Sequence, residues 1–126
     1  MSAPDGMEAF RDGFREEARD LLDDLSDALS AMARDEGDAV DAAFAAVHTI
    51  KGGALAVGLA ALGAIADRME EALVALRRTG APVPPAVRAD LKAGHDRLRA
   101  SLGVADDPGG AVAAASARPT AYRVRR

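Results

Sequence analysis

The chain has 126 residues, 49% of them hydrophobic and only 3% aromatic, with a formal net charge of −4. That length suits one domain with one continuous core, and an apolar set dominated by alanine and leucine favours helices over strands. The scattered basic residues argue against a nucleic-acid footprint, and the absence of cysteine rules out a disulfide framework or thiolate zinc site and fits a reducing compartment such as the cytoplasm.

The opening MSAPDGMEAFRDGF lacks the basic-then-apolar order of a signal peptide, and the longest apolar run, ALAVGLAALGAIA, is too short to span a bilayer. A soluble chain without membrane contact is expected. The first helix is predicted from Asp5 or Met7 to about Ala33, because Phe10, Phe14, Ala18, Leu21, Leu25, Leu29 and Met32 recur at intervals of three and four. Arg15, Glu16, Arg19, Asp20, Asp23 and Asp24 between them read as its solvated face. RDEGDAV interrupts the pattern, and Asp38 is placed to cap a second helix running to about Val57, with Val40, Phe44, Val47, Ile50, Ala54 and Val57 on its apolar side.

Gly58 breaks that run. A third helix follows from about Leu59 to Thr79, burying Leu62, Ile65, Met69, Leu73 and Leu76 and closing on Gly80. APVPPAV forms a rigid connection to a fourth, shorter helix marked by Val87, Leu91, Leu98 and Leu102. Short connections make sequential helices antiparallel, so the expected fold is all-α, an up-and-down four-helix bundle over residues 5–103. Residues 104–126 read as a linker or tail, with GVADDPGGAVAAASARPT able to form at most a short fifth helical segment. The closing AYRVRR alternates like a strand, which suits either a frayed basic tail or the start of a following domain.

Chemistry concentrates in the second helix. His48 lies about a third of a turn from the centre of the apolar stripe, taking about 100° per residue, and is expected at the flank. Lys51 is its neighbour at i+3, and Gly52 at i+4 leaves the imidazole sterically open. A reference histidine pKa of about 6.5 keeps most imidazole neutral near neutral pH, with a lone pair for attack on an electrophile such as a phosphoryl group. Lys51 is placed to contact the phosphoryl oxygens as charge builds on them. The second ring nitrogen needs a carboxylate to orient it. Glu70 is the candidate, since residues 48 and 70 lie equally far from a turn at residue 59, and Asp67, one turn earlier on the same flank, is held in reserve.

HTIKGGALAVGL resembles the H-x-x-K-G-[GS]-[AS] signature of histidine phosphotransfer (HPt) domains. FREEARDLLDDLSDAL before it and LAALGAIADRMEEALVALRRTG after it are similar to the flanking helices of the HPt domain that opens CheA-type chemotaxis histidine kinases, and the resemblance covers about residues 7–102. It implies a phosphoryl carrier. His48 would take phosphate on Nε2 from an ATP-binding kinase domain and pass it to an aspartate of a response regulator, with Lys51 and Glu70 assisting and Gly52 giving the partner room. ATP and magnesium would belong to the kinase domain, leaving this domain without a cofactor and monomeric. Asp67 departs from the pattern, which often has a second histidine there, and YRVR resembles the first strand of the segment that follows the domain in some CheA-like kinases.

Other signals are weaker. KGGALAVG is not a phosphate-cradling loop, because a Walker motif places its lysine after the glycines and a strand before them. His95, within KAGHDRLR, has polar neighbours and no glycine gap after it, and reads as a surface residue. Two histidines on distant segments make too few ligands for a metal. Two alternatives to the CheA-type reading stay open: a free-standing carrier of a multistep relay, and a non-catalytic helical interaction module in which His48 is incidental.

Overall fold

The computed structural model describes Gly6 and residues 8–106, with side chains as far as residue 103, and contains four helices: α1 (Glu8–Ala33), α2 (Ala39–Ala56), α3 (Ala60–Thr79) and α4 (Pro85–Asp106). Each of the first three ends where the chain supplies a residue that accepts left-handed backbone. Asp35 (φ 55°) follows α1, Gly58 (φ 81°) follows α2 and Gly80 (φ 64°) closes α3. The amides of Glu36 and Leu59 donate back to the carbonyls of Ala31 and Ala54, which satisfies acceptors that a helix end otherwise leaves open. Pro85 opens α4, at the position where a missing N–H costs nothing and the fixed φ suits a helix. Asp38 precedes α2 and its carbonyl accepts from Ala42, but its side chain makes no capping bond.

The connections are short, so consecutive helices run antiparallel. α1 packs on α2, α2 on α3, α3 on α4, and α4 back on α1, while among the described residues the two diagonal pairs make no close backbone approach. This is the ring order of an up-and-down four-helix bundle. Its interior is filled by Leu22, Leu25, Met32, Val47, Ile50, Leu73, Leu91 and Leu98, all essentially inaccessible. Complete burial of one such side chain stabilises the fold by roughly 1.5–3 kcal/mol.

Several expectations are corrected. The fourth helix is not the shorter one: at 22 residues α4 exceeds α2 and α3, because the Pro-rich connection ends at Pro84 and Pro85 already belongs to the first turn. It also runs to Asp106, three positions past the expected limit of the bundle, whereas residues 107–126, with the expected tail and the YRVR segment, lie outside the described residues. Phe10 was expected in the core and is 65% exposed. Phe14 lies level with Gly53 and Arg11 reaches the Val57 carbonyl, so Phe10 stands where α2 runs out and cannot cover it. Leu22 is the buried member of the Leu21–Leu22 pair.

The largest correction concerns His95, which is buried at 0% exposure and not on the surface. The spacing explains it: residues 91, 95, 98 and 102 form one stripe at intervals of four and three, and His95 fills the gap between Leu91 and Leu98. Its neighbour Arg97 is exposed, while Asp96 reaches back to the ring. A carbonyl can only accept, so Nε2–H donates to the Leu22 carbonyl of α1 at 3.1 Å, while Nδ1 lies 3.1 Å from Asp96 Oδ1.

Candidate functional site

Small side chains let α2 lie close to its neighbours while one face stays open. Ala43, Ala46, Val47, Ile50 and Ala54 face the core, and His48, Thr49 and Gly52 face outward. The Thr49 hydroxyl donates to the Ala45 carbonyl at 2.9 Å, so it is engaged with its own helix. The two adjacent glycines have different reasons. A Cβ on Gly53 would stand 2.6 Å from the ring of buried Phe14, so α1 reaches α2 only because that side chain is missing. A Cβ on Gly52 would meet nothing within 4 Å, so packing does not account for it.

The turn at Gly58 and Leu59 sets α2 and α3 in the register that brings residues 48 and 70 level. His48 Nδ1 is hydrogen-bonded to Glu70 Oε2. The other carboxylate oxygen of Glu70 accepts from Lys51 Nζ at 2.6 Å, and the same ammonium donates to Asp67 Oδ1 at 3.0 Å. All four polar residues singled out in the sequence therefore meet in one cluster. Asp67, weighed as a reserve partner for the imidazole, instead reaches Lys51. Lys51 bridges two carboxylates rather than standing alone.

Burial divides the cluster. The His48 side chain is 64% exposed and that of Glu70 only 13%. The Lys51 ammonium and then the His48 ring hold the Glu70 carboxyl below the ordinary carboxylate range, against the opposing effect of burial. Glu70, followed by Asp67, holds the Lys51 ammonium above its ordinary range. Near neutral pH the cluster thus contains a firm carboxylate and a firm ammonium. An ionised carboxylate only accepts, so the proton between His48 and Glu70 belongs to Nδ1. In the neutral ring, Nε2 then carries the lone pair.

Two further residues complete the surroundings and were not foreseen as part of the site. Phe44, read from the sequence as a core residue, stacks on the His48 ring with centroids 5.5 Å apart and planes 12° from parallel. The Arg77 guanidinium lies over the Phe44 ring at 4.4 Å from its centroid and is paired with Asp41 at 2.9 Å. The i and i+4 spacing of Phe44 and His48 was visible, but the contribution of Arg77 from α3 was not.

No group of three or more His, Cys, Asp or Glu side chains among the described residues could hold a metal ion, and no described helix is long and apolar enough to cross a membrane. The family model for the Hpt domain matches residues 9–101. No curated protein and no solved structure matches the chain.

Proposed function

Because the chain belongs to the Hpt domain family, whose members carry histidine phosphotransfer in two-component signalling and exchange phosphate with kinase and response-regulator domains, we propose that His48 is its phosphoacceptor. The observation that carries this reading is an exposed imidazole whose Nδ1 is held by Glu70, itself anchored by Lys51. The Nε2 lone pair forms the N–P bond as the bond from phosphorus to the leaving oxygen of the donor breaks, and that oxygen departs with the electron pair. The Nδ1 proton stays on the ring, which gains positive charge, and the Glu70 carboxylate stabilises it. Lys51 spends two of its three N–H donors on Glu70 and Asp67, leaving the third for a phosphoryl oxygen. Gly52, one turn beyond His48, leaves space for the partner's active site.

The finer reading is that the donor is the ATP-binding domain of a CheA-type kinase and the acceptor an aspartate of a receiver domain. The similarity of HTIKGGALAVGL and its flanking helices to the opening domain of those kinases supports it. In this reading ATP and magnesium bind to the kinase domain and none to this one, which works as a monomer in the cytoplasm. The test is incubation with labelled ATP alone, with a CheA-type kinase core, and with a phosphorylated receiver domain. Acid-labile label is expected with the core and not with ATP alone, and His48→Gln abolishes it without altering the helical circular dichroism spectrum. Label from the receiver alone would identify a relay carrier, and label that survives His48→Gln would remove His48 as acceptor.

A further inference from the structure

Glu70 fixes one edge of the imidazole, but a single hydrogen bond does not fix the plane of the ring. A ring bonded at Cγ and held at Nδ1 can still tilt as the side-chain torsions change, and Nε2, across the ring from Cγ, moves with its plane. The Phe44 ring lies nearly parallel to the imidazole, at 12°, and closes one of its faces. Phe44 is half-buried and packed against the core. On Phe44 itself lies the Arg77 guanidinium of α3, which Asp41 holds by an ion pair. Asp41, Phe44 and His48 are successive positions on α2 at intervals of three and four, and Arg77 ties them across to α3.

We propose that Phe44 is a positioning residue for phosphotransfer, setting the plane of the His48 ring so that Nε2 is presented to the donor, and that Arg77, held by Asp41, keeps Phe44 in place. This inference rests on His48 being the phosphoacceptor. Two constraints of different kinds, a hydrogen bond at the edge and a stack on the face, leave Nε2 as the one ring nitrogen aimed outward. Alignment of this kind matters because transfer requires the lone pair in line with the breaking bond, and small misplacements are expensive in rate.

A side chain can also matter by touching the partner, so the test uses two donors. One is the kinase core with magnesium and ATP; the other is phosphoramidate, a small donor that requires no docking surface. Rates are measured for Phe44→Leu, Phe44→Tyr, Arg77→Gln and His48→Gln, with folding checked by circular dichroism and the ring-current shifts of the His48 carbon-bound protons followed by NMR. Phe44→Leu is expected to slow both donors by at least about tenfold and to abolish the ring-current shift, while Phe44→Tyr, which preserves the stack, restores both. Arg77→Gln, an exposed change that keeps the fold if Phe44→Leu does not, is expected to slow both donors by about two- to fivefold. Wild-type reaction with phosphoramidate in folded Phe44→Leu, a loss confined to the kinase core, an equally slow Phe44→Tyr, or wild-type rates in Arg77→Gln would each overturn the positioning role. Label retained in His48→Gln would instead overturn the phosphoacceptor assignment, so the two failures are distinct.

Discussion

At the scale of single residues, the two Glu70 oxygens are divided between His48 and Lys51, whose ammonium also reaches Asp67. Glu70 holds the imidazole only while it is ionised, and its carboxyl lies below its ordinary value of 4.5, first because of Lys51 and then because of His48. A lowered folded pKa means that the stabilisation is present above the unfolded value and is lost as pH falls through the folded one, so the cluster should stay intact at pH 5. Carbon-detected NMR titration of the Glu70 carboxyl should give a midpoint below that ordinary value, and Lys51→Met should raise it more than His48→Gln does. The glycines give a second test. Gly52→Gln improves helix propensity by up to about 1 kcal/mol and should keep or raise the melting temperature while largely abolishing phosphotransfer. Gly53→Ala should leave His48 uncrowded but destabilise the fold by roughly 1–3 kcal/mol, since the added methyl meets the buried Phe14 ring. Normal transfer in folded Gly52→Gln, or an unchanged melting temperature in Gly53→Ala, would contradict the division of labour.

At the scale of elements, what could be read from the sequence was whatever one helix decides by itself. The stripes of α2 and α3, the stops at Gly58 and Gly80, and the level of residues 48 and 70 all follow from local spacing and one turn. What stayed hidden depends on a second helix: the exposure of Phe10, set by where α2 ends, and the hold of Arg77 on Phe44. His95 was misplaced because polar neighbours outweighed a four-and-three spacing that already put it in line with Leu91 and Leu98. Its burial has a consequence for α1 and α4. Burial pushes its pKa below the ordinary 6.5, with Arg99 adding to that and Asp96 and the Leu22 carbonyl opposing it. The unfolded chain therefore binds a proton that the folded bundle resists, and stability should fall as pH drops below about 6.5 toward the folded value. Urea unfolding at pH 7.5 and 5 should show a smaller loss in His95→Asn than in the wild type, although the variant starts less stable because it cannot fill the same space. An equal loss in both would assign the acid sensitivity elsewhere.

At the scale of the whole molecule, the bundle holds the exposed His48 side chain on the outer face of α2. α2 presents the ring, α3 supplies the carboxylate and the guanidinium around it, and α1 and α4 complete the core that fixes the distance between those two helices. In the proposed function Nε2 is the atom that reacts, since Nδ1 of the exposed His48 side chain is committed to Glu70. The most direct measurement is a long-range proton–nitrogen correlation spectrum of the uniformly labelled protein after phosphorylation. Phosphorus coupled to Nε2 of His48, with Nδ1 still carrying its proton, is the predicted result. Phosphorus on Nδ1, or on a ring nitrogen of His95, would contradict it.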